Sequence, residues 1–181
     1  NEFEQRKDEA NFEGSLNYNT NQHRQSTFKV VHLNPRTDSF NFIKGKTKLA
    51  IDTWINYLEQ PQFFFTHQLK NNLNFSHDYR IMKYETGAEI HPHSDHNSGI
   101  YGSISFNLNG NYEGGEFKFF NGNYTVPLSK GDALIFPADY FWVHEVTPVT
   151  KGTRYSLNSF LQKYPDKVIS HSNYLLDLLY K

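Results

Sequence analysis

Between Tyr79 and Leu161 this chain is cut repeatedly by turn signals: Asn109-Gly110, Gly114-Gly115, Asn121-Gly122 and Lys130-Gly131-Asp132. Gly, Asn and Asp supply the backbone angles that reverse a strand, and their recurrence leaves little room for helices of ordinary length. The runs between them, 79–84, 100–108, 116–120, 133–136, 141–146 and 154–160, read as strands. Many short strands of this kind can bury their apolar faces only by folding two sheets together or closing one on itself.

The first half has a different texture. Residues 1–25 are polar and Asn-rich without sustained periodicity, which predicts an irregular or loosely packed arm, and 26–33 reads as a first strand. From Thr47 the residues Ile51, Trp54, Ile55 and Leu58 recur on one helical face, and Pro61 ends that helix. A closing helix is expected over 174–180. The fold expected is α+β, mainly β: a double-stranded β-helix (jelly-roll) core at about 79–161 with supporting N-terminal helices. At 181 residues this is one domain, 26–181, preceded by the polar arm 1–25.

Composition narrows the chemistry. Sixteen Phe and twelve Tyr must carry much of the core, and there is no cysteine. Disulfides, thiolate nucleophiles and Cys-ligated metals are therefore excluded, so a metal here must use His, Asp or Glu. Eighteen basic residues against nineteen acidic ones give a net charge of −1, which argues against nucleic acid as a partner. No apolar run is long enough to span a bilayer, so no membrane partner is expected. The expected location is cytoplasmic or otherwise soluble and intracellular; because the chain opens at Asn1 rather than Met, a trimmed targeting segment remains compatible with it.

His93-Ser94-Asp95 places two ligand-type side chains two positions apart, on the same side of an extended segment. The adjoining His91-Pro92-His93 offers an alternative pair. His144, sharing a face with Trp142 and Val146, supplies a third ligand. Two His and one carboxylate form a facial triad that leaves an octahedral iron open to a bidentate oxoacid and dioxygen, whereas a structural zinc site closes itself. Arg154 lies ten residues after His144 and alternates onto one face with Ser156 and Asn158. Its forked guanidinium suits a carboxylate in a partly dry pocket.

Tyr84-x-x-Gly87-x-x-Ile90-x-x-His93-x-Asp95, Tyr112-Glu113-Gly114-Gly115-Glu116-Phe117, Lys130-Gly131-Asp132-Ala133-Leu134-Ile135-Phe136, His144-Glu145-Val146-Thr147-Pro148-Val149 and Gly152-Thr153-Arg154-Tyr155-Ser156-Leu157 follow one another in order. In these blocks the chain resembles the prolyl 4-hydroxylase-like group of 2-oxoglutarate and iron(II) oxygenases. The resemblance selects His93 with Asp95 and His144 as metal ligands and catalytic centre. It also implies that Tyr84 hydrogen-bonds the co-substrate near the metal and that Arg154 takes its distal carboxylate. Asn107 stands where some members carry a Tyr that reaches the same carboxylate, and Ser156 is expected beside it. Collagen-type members differ in carrying Lys at the position of Arg154.

The function so implied is hydroxylation of an unactivated C–H bond, with a prolyl residue of a protein or peptide as first choice. Fe(II) is the expected cofactor, 2-oxoglutarate and dioxygen the co-substrates, and ascorbate a reductant. Arg24, in an arm segment Arg24-Gln25-Ser26, and Tyr140, Trp142 and Phe160 are the candidate substrate contacts. The rivals are the same chemistry on a small molecule, free amino acid or damaged base, and a jelly-roll binding module without turnover. His23, His32, His67, His77, His91, His96 and His171 read as ordinary polar residues, and Asp132 as a turn residue. Ser103, Ser105 and Asn107 form a polar face that is solvated unless the barrel closes over it.

Overall fold

The computed structural model describes residues 2–17, 22–59, 68–69, 73, 78–97 and 99–162. Their elements in chain order are α1 (Glu2–Gln5), a short 3-10 turn, β1 (Asn11–Asn17), β2 (Gln22–His32), α2 (Asp38–Leu58), β3 (Arg80–Tyr84), β4 (Ile90–His93), β5 (Ile100–Asn107), β6 (Tyr112–Gly114), β7 (Phe117–Phe119), β8 (Tyr124–Val126), β9 (Ala133–Pro137), β10 (His144–Val146), β11 (Val149–Gly152) and β12 (Arg154–Gln162). A six-stranded sheet runs β1-β2-β3-β12-β5-β9, facing a four-stranded sheet β4-β10-β7-β8; β6 and β11 form a separate pair. This is the expected mainly-β jelly-roll architecture. The expected strands fall where strands occur, within a few residues at their ends.

The large sheet is buried on both faces. On its outer face Val31, Ile81, Leu157 and Phe106 lie opposite one another across successive strands and pack with Phe40 and Ile43 of α2. On its inner face Val30, Met82, Ser156 and Asn107 are in register, and Met82 and Tyr84 meet Phe117, Phe119 and Val146 of the small sheet. The sandwich closes over Ser103, Ser105 and Asn107, which are all buried. The polar face of β5 therefore turns inward, toward a cavity.

Two local expectations are corrected. Helix α2 begins at Asp38 rather than near Thr47, with the Thr37 hydroxyl accepting from the Phe40 amide at 3.2 Å as an N-cap. Gly45 and a run of polar residues hide this first half in the sequence, yet Phe40, Ile43 and Thr47 form one buried stripe. The described part of the polar N-terminal segment is ordered by strand pairing: β1 and the start of β2 pair antiparallel. Phe3 is buried in the outer core, and Glu4 accepts a hydrogen bond from the Tyr155 hydroxyl at 2.6 Å. Strand pairing and a single anchoring aromatic leave no periodic trace in the sequence. The expected helix over 174–180 lies outside the described residues, as do His67, His77 and His171. Among the described residues no helix is long and apolar enough to cross a membrane.

Candidate active site

β4 and β10 are antiparallel neighbours whose pairing sets His93 directly opposite His144. Asp95 follows β4 by two residues, on the loop leading to β5. The rings of the two histidines are 4.3 Å apart. Asp95 Oδ1 lies 3.3 Å from His93 Nε2, and its Oδ2 3.5 Å from His144 Nε2. One ligand atom from each of the three falls within 4.8 Å of the others. His91 stands outside this group: its side chain is half exposed, with Nδ1 3.8 Å from Glu89.

Each imidazole is held by its far nitrogen. His93 Nδ1 is 2.8 Å from the His91 carbonyl, and His144 Nδ1 is 3.0 Å from the Trp142 carbonyl. A carbonyl only accepts, so Nδ1 must carry the hydrogen and Nε2 is left with its lone pair facing the cluster. Ser103 donates to Asp95 Oδ2 at 2.6 Å, orienting the carboxylate from β5. His144 is packed face-on against Phe117 and edge-on against Phe136.

These surroundings set the charges. Burial works against charge on Asp95, yet the facing His93 and His144 hold its carboxyl down at about 2. Burial also pushes His144 down to about 4, so this ring is neutral near pH 7. Burial pulls His93 the same way, but its contact with Asp95 outweighs that and raises it. An anionic oxygen and two oriented imidazoles are the donor set that a divalent transition metal takes, and their common side leaves other positions open.

Farther inside, Arg154 is 1% exposed, its guanidinium 4.9 Å from the Tyr84 ring centroid. Its Nε and Nη1 have no hydrogen-bond partner, nor does the Ser156 Oγ beside it. Burying a guanidinium without a counter-charge is costly unless an anionic ligand completes it. Gly115 makes room for this arrangement: at φ +63°, a Cβ there would sit 2.9 Å from Arg154 Cδ. Burial raises the Tyr84 phenol against the opposing pull of Arg154 and Ser156, and its hydroxyl also lies 3.6 Å from the Met82 sulfur.

Asn107 differs from the expectation. Its amide donates to the carbonyls of Asn109 and Leu128, and its oxygen accepts from the Tyr112 hydroxyl at 3.0 Å. With these bonds in place it ties loops together and retains little capacity for a co-substrate. Tyr112, which carries that hydroxyl, was visible in the sequence only as part of a motif.

A cavity of about 360 Å³ adjoins the three ligand residues, and Met82, Phe117, Gln25, Arg80 and Phe160 are among the residues that line it. Of the expected substrate contacts, Phe160 lines it. Tyr140 is 68% exposed and stacks on His96 at 3.8 Å, and Trp142 packs on Phe119 and Phe120; neither is part of the lining. Arg24 sits on β2 opposite Ser15, but its side chain lies outside the described part. Glu13, Thr27 and Arg80 escaped the sequence reading because nothing local marks them.

Residues 79–162 match the family model of the 2OG-Fe(II) oxygenase superfamily. Over 115 residues, 61% of the chain, the sequence is 33% identical to a multifunctional procollagen lysine hydroxylase and glycosyltransferase of Caenorhabditis elegans, covering 15% of that protein. Over 90 residues, 45% of the chain, it is 33% identical to a PKHD-type hydroxylase of Idiomarina loihiensis, covering 40% of it. The chain thus spans less than half the length of these relatives. In fold it is similar to a Trichoplax adhaerens prolyl hydroxylase solved with a peptide fragment of the hypoxia inducible factor oxygen degradation domain: TM-score 0.59, 20% identity, 84% of this chain and 70% of that one. Residues 79–162, which carry the whole His93–Asp95–His144 cluster and Arg154, are thus the part of this chain that is similar to the 2OG-Fe(II) oxygenase superfamily.

Proposed function

We propose that this chain is a 2-oxoglutarate- and iron(II)-dependent hydroxylase acting on a protein or peptide, with a prolyl residue as the target. In this reading residues 26–181 work as one oxygenase domain, and the N-terminal segment adds part of the cavity wall. One observation carries it: a three-ligand cluster with open positions shares the interior of the jelly roll with a buried guanidinium whose Nε and Nη1 donors are unused. A closed structural metal site has no use for the second, and a site without turnover has no use for both.

When bound, iron and 2-oxoglutarate supply the activation of dioxygen, with succinate and carbon dioxide as co-products. The chain's own residues do the rest. His93 and His144 offer Nε2, with their tautomers set by the backbone carbonyls, and Asp95 offers an anionic oxygen held in place by Ser103. Arg154 and Ser156 take the distal carboxylate through donors that are otherwise unused. Tyr84 exchanges its weak contact with sulfur for a hydrogen bond to the same molecule. Phe117, Phe119 and Phe136 crowd His144 and keep water from the ligand side.

A prolyl target is supported by the shared fold with the Trichoplax enzyme. A lysyl target is the second reading, favoured by the 33% identity to the C. elegans procollagen lysine hydroxylase. The test combines two measurements. Anaerobic addition of Fe(II) and 2-oxoglutarate should produce a weak visible charge-transfer band. Exposure to labelled dioxygen with candidate peptides should then release succinate and add one labelled oxygen to the target residue. No band at saturating 2-oxoglutarate, or product oxygen drawn from water, would count against the proposal.

A further inference from the structure

The N-terminal hairpin brings to the cavity a charged pair that neither metal nor co-substrate requires. Between Phe12 and Gly14 the β1–β2 register shifts, Phe12 facing Lys29 and Gly14 facing Gln25. The strands are bulged here, and a bulge re-aims the side chains beside it. Glu13, at that point, lines the cavity. Its carboxylate pairs with Arg80 of β3, which lies opposite Asn158 and so shares the inner face with Met82 and Tyr84.

Arg80 has other support. Its guanidinium covers the Phe160 ring at 4.7 Å, and its Nε is 3.6 Å from Asp78 Oδ2. Asp78, which also pairs with His32 at 2.8 Å, therefore leaves Arg80 a nearby counter-charge, and Phe160 keeps it packed, when Glu13 is shared with another cation. Glu13 is also the more accessible partner, its side chain 29% exposed against 13% for Arg80. Glu89 also lines the cavity, with the Nδ1 of His91, another lining residue, 3.8 Å away. Outside the metal group the described lining thus carries two carboxylates, Glu13 and Glu89, and one guanidinium. Such an excess attracts a positive group and repels a negative one.

We propose that Glu13 and Arg80 form a specificity-determining subsite that takes a cationic side chain, lysyl or arginyl, of a peptide substrate. Glu13 accepts the hydrogen bond of the incoming cation, while Asp78 and Phe160 hold Arg80. The inference rests on the reading of this cavity as the substrate site. The cation can belong to the hydroxylated residue itself or to a neighbour of it, and the arms of the test separate these sources.

The experiment uses the full chain loaded with Mn(II) and 2-oxoglutarate, and short labelled peptides that differ only in a central pair: Pro-Lys, Pro-Gln, Pro-Glu or Ala-Lys. Binding is read by fluorescence anisotropy. The Pro-Lys peptide should bind roughly tenfold more tightly than Pro-Gln, the size of one charge-assisted contact. Pro-Glu should bind more weakly still, and added salt should narrow the differences. In Glu13→Gln, which keeps the side chain's shape, Pro-Lys and Pro-Gln should bind alike. Ala-Lys binding as tightly as Pro-Lys assigns the cation to the target residue, and weaker binding assigns it to a neighbour. Equal binding of Pro-Lys and Pro-Gln by the unaltered chain overturns the proposal, with no variant needed. So does a lysine preference that survives in Glu13→Gln, or no measurable binding of either lysine peptide. Because Mn(II) replaces iron, these results do not depend on turnover; failure of succinate release with iron would count against the hydroxylase reading alone.

Discussion

Arg154 is the residue at which the proposed function bears most directly on the energetics of folding. A buried guanidinium with unused Nε and Nη1 donors destabilises the ligand-free protein and favours whatever anion completes it. Arg154→Met should leave the ligand-free protein as stable as before, or more stable by about 1 kcal/mol. The same change should weaken 2-oxoglutarate binding by on the order of 100-fold, the loss of charge-assisted hydrogen bonds. Metal affinity, set by ligands elsewhere, should change little. Thermal denaturation with and without co-substrate, alongside a Co(II) titration, separates these effects; equal loss of metal and co-substrate binding would point to a misplaced register. The histidines allow a second comparison of the same kind. His93→Ala should abolish Co(II) binding in the visible spectrum, whereas His91→Ala, whose ring lies outside the ligand group, should retain it.

Elements are held together by a few side-chain ties that stand in for missing ladders. Thr27 of β2 donates through Oγ1 to the Glu89 carbonyl at 3.0 Å and accepts from the Glu89 amide at 2.8 Å, joining the large sheet to the chain entering β4. Because β4 carries His93, Thr27→Val should speed hydrogen exchange at Glu89 and weaken Co(II) binding by roughly threefold, a modest loss since the site is exposed. Thr27→Ser, which keeps the hydroxyl, should restore both. At α1 the tie is electrostatic as well as apolar. Glu4 accepts from Tyr155 and lies 3.0 Å from Lys83 Nζ, and these contacts lower its pKa below the ordinary 4.5. A carboxylate depressed in the folded state contributes stability above its unfolded pKa and loses it as pH falls through the folded value. Docking of α1 should therefore loosen in acid below about pH 4.5, seen as faster hydrogen exchange over residues 2–9, and Glu4→Gln should remove that pH dependence.

For the whole molecule, the His93–Asp95–His144 cluster is a clasp between the β4 loop and β10, fastened by Ser103 to the large sheet. A ligand that binds only the folded state stabilises it by about 2.7 kcal/mol at 100 times its Kd. Mn(II) should accordingly raise the unfolding temperature, a chelator should reverse the rise, and 2-oxoglutarate should add to it only when metal is present and Arg154 intact. An unfolding temperature indifferent to saturating Mn(II) would mean that the cluster does not bind metal in the folded chain.

The sequence alone determined whatever local chemistry determines: where turns interrupt the strands, which residues alternate to one face of β5 and β12, and the spacing that joins His93 to Asp95. The family motifs extended this to His144 and Arg154, because ligand positions recur at a set order along such a chain. Tertiary structure decided what depends on register between distant segments. Asn107 is occupied by Tyr112 and two loop carbonyls, which no alternation pattern reveals. The N-terminal segment carries no helical or strand period, yet strand pairing and the burial of Phe3 order it. Glu13 and Arg80 are 67 residues apart and meet only because a bulge in the β1–β2 hairpin turns one toward the strand that holds the other. Local propensity acts over a few residues, whereas the shape and charge of the cavity arise from contacts that exist only once the sheets have closed.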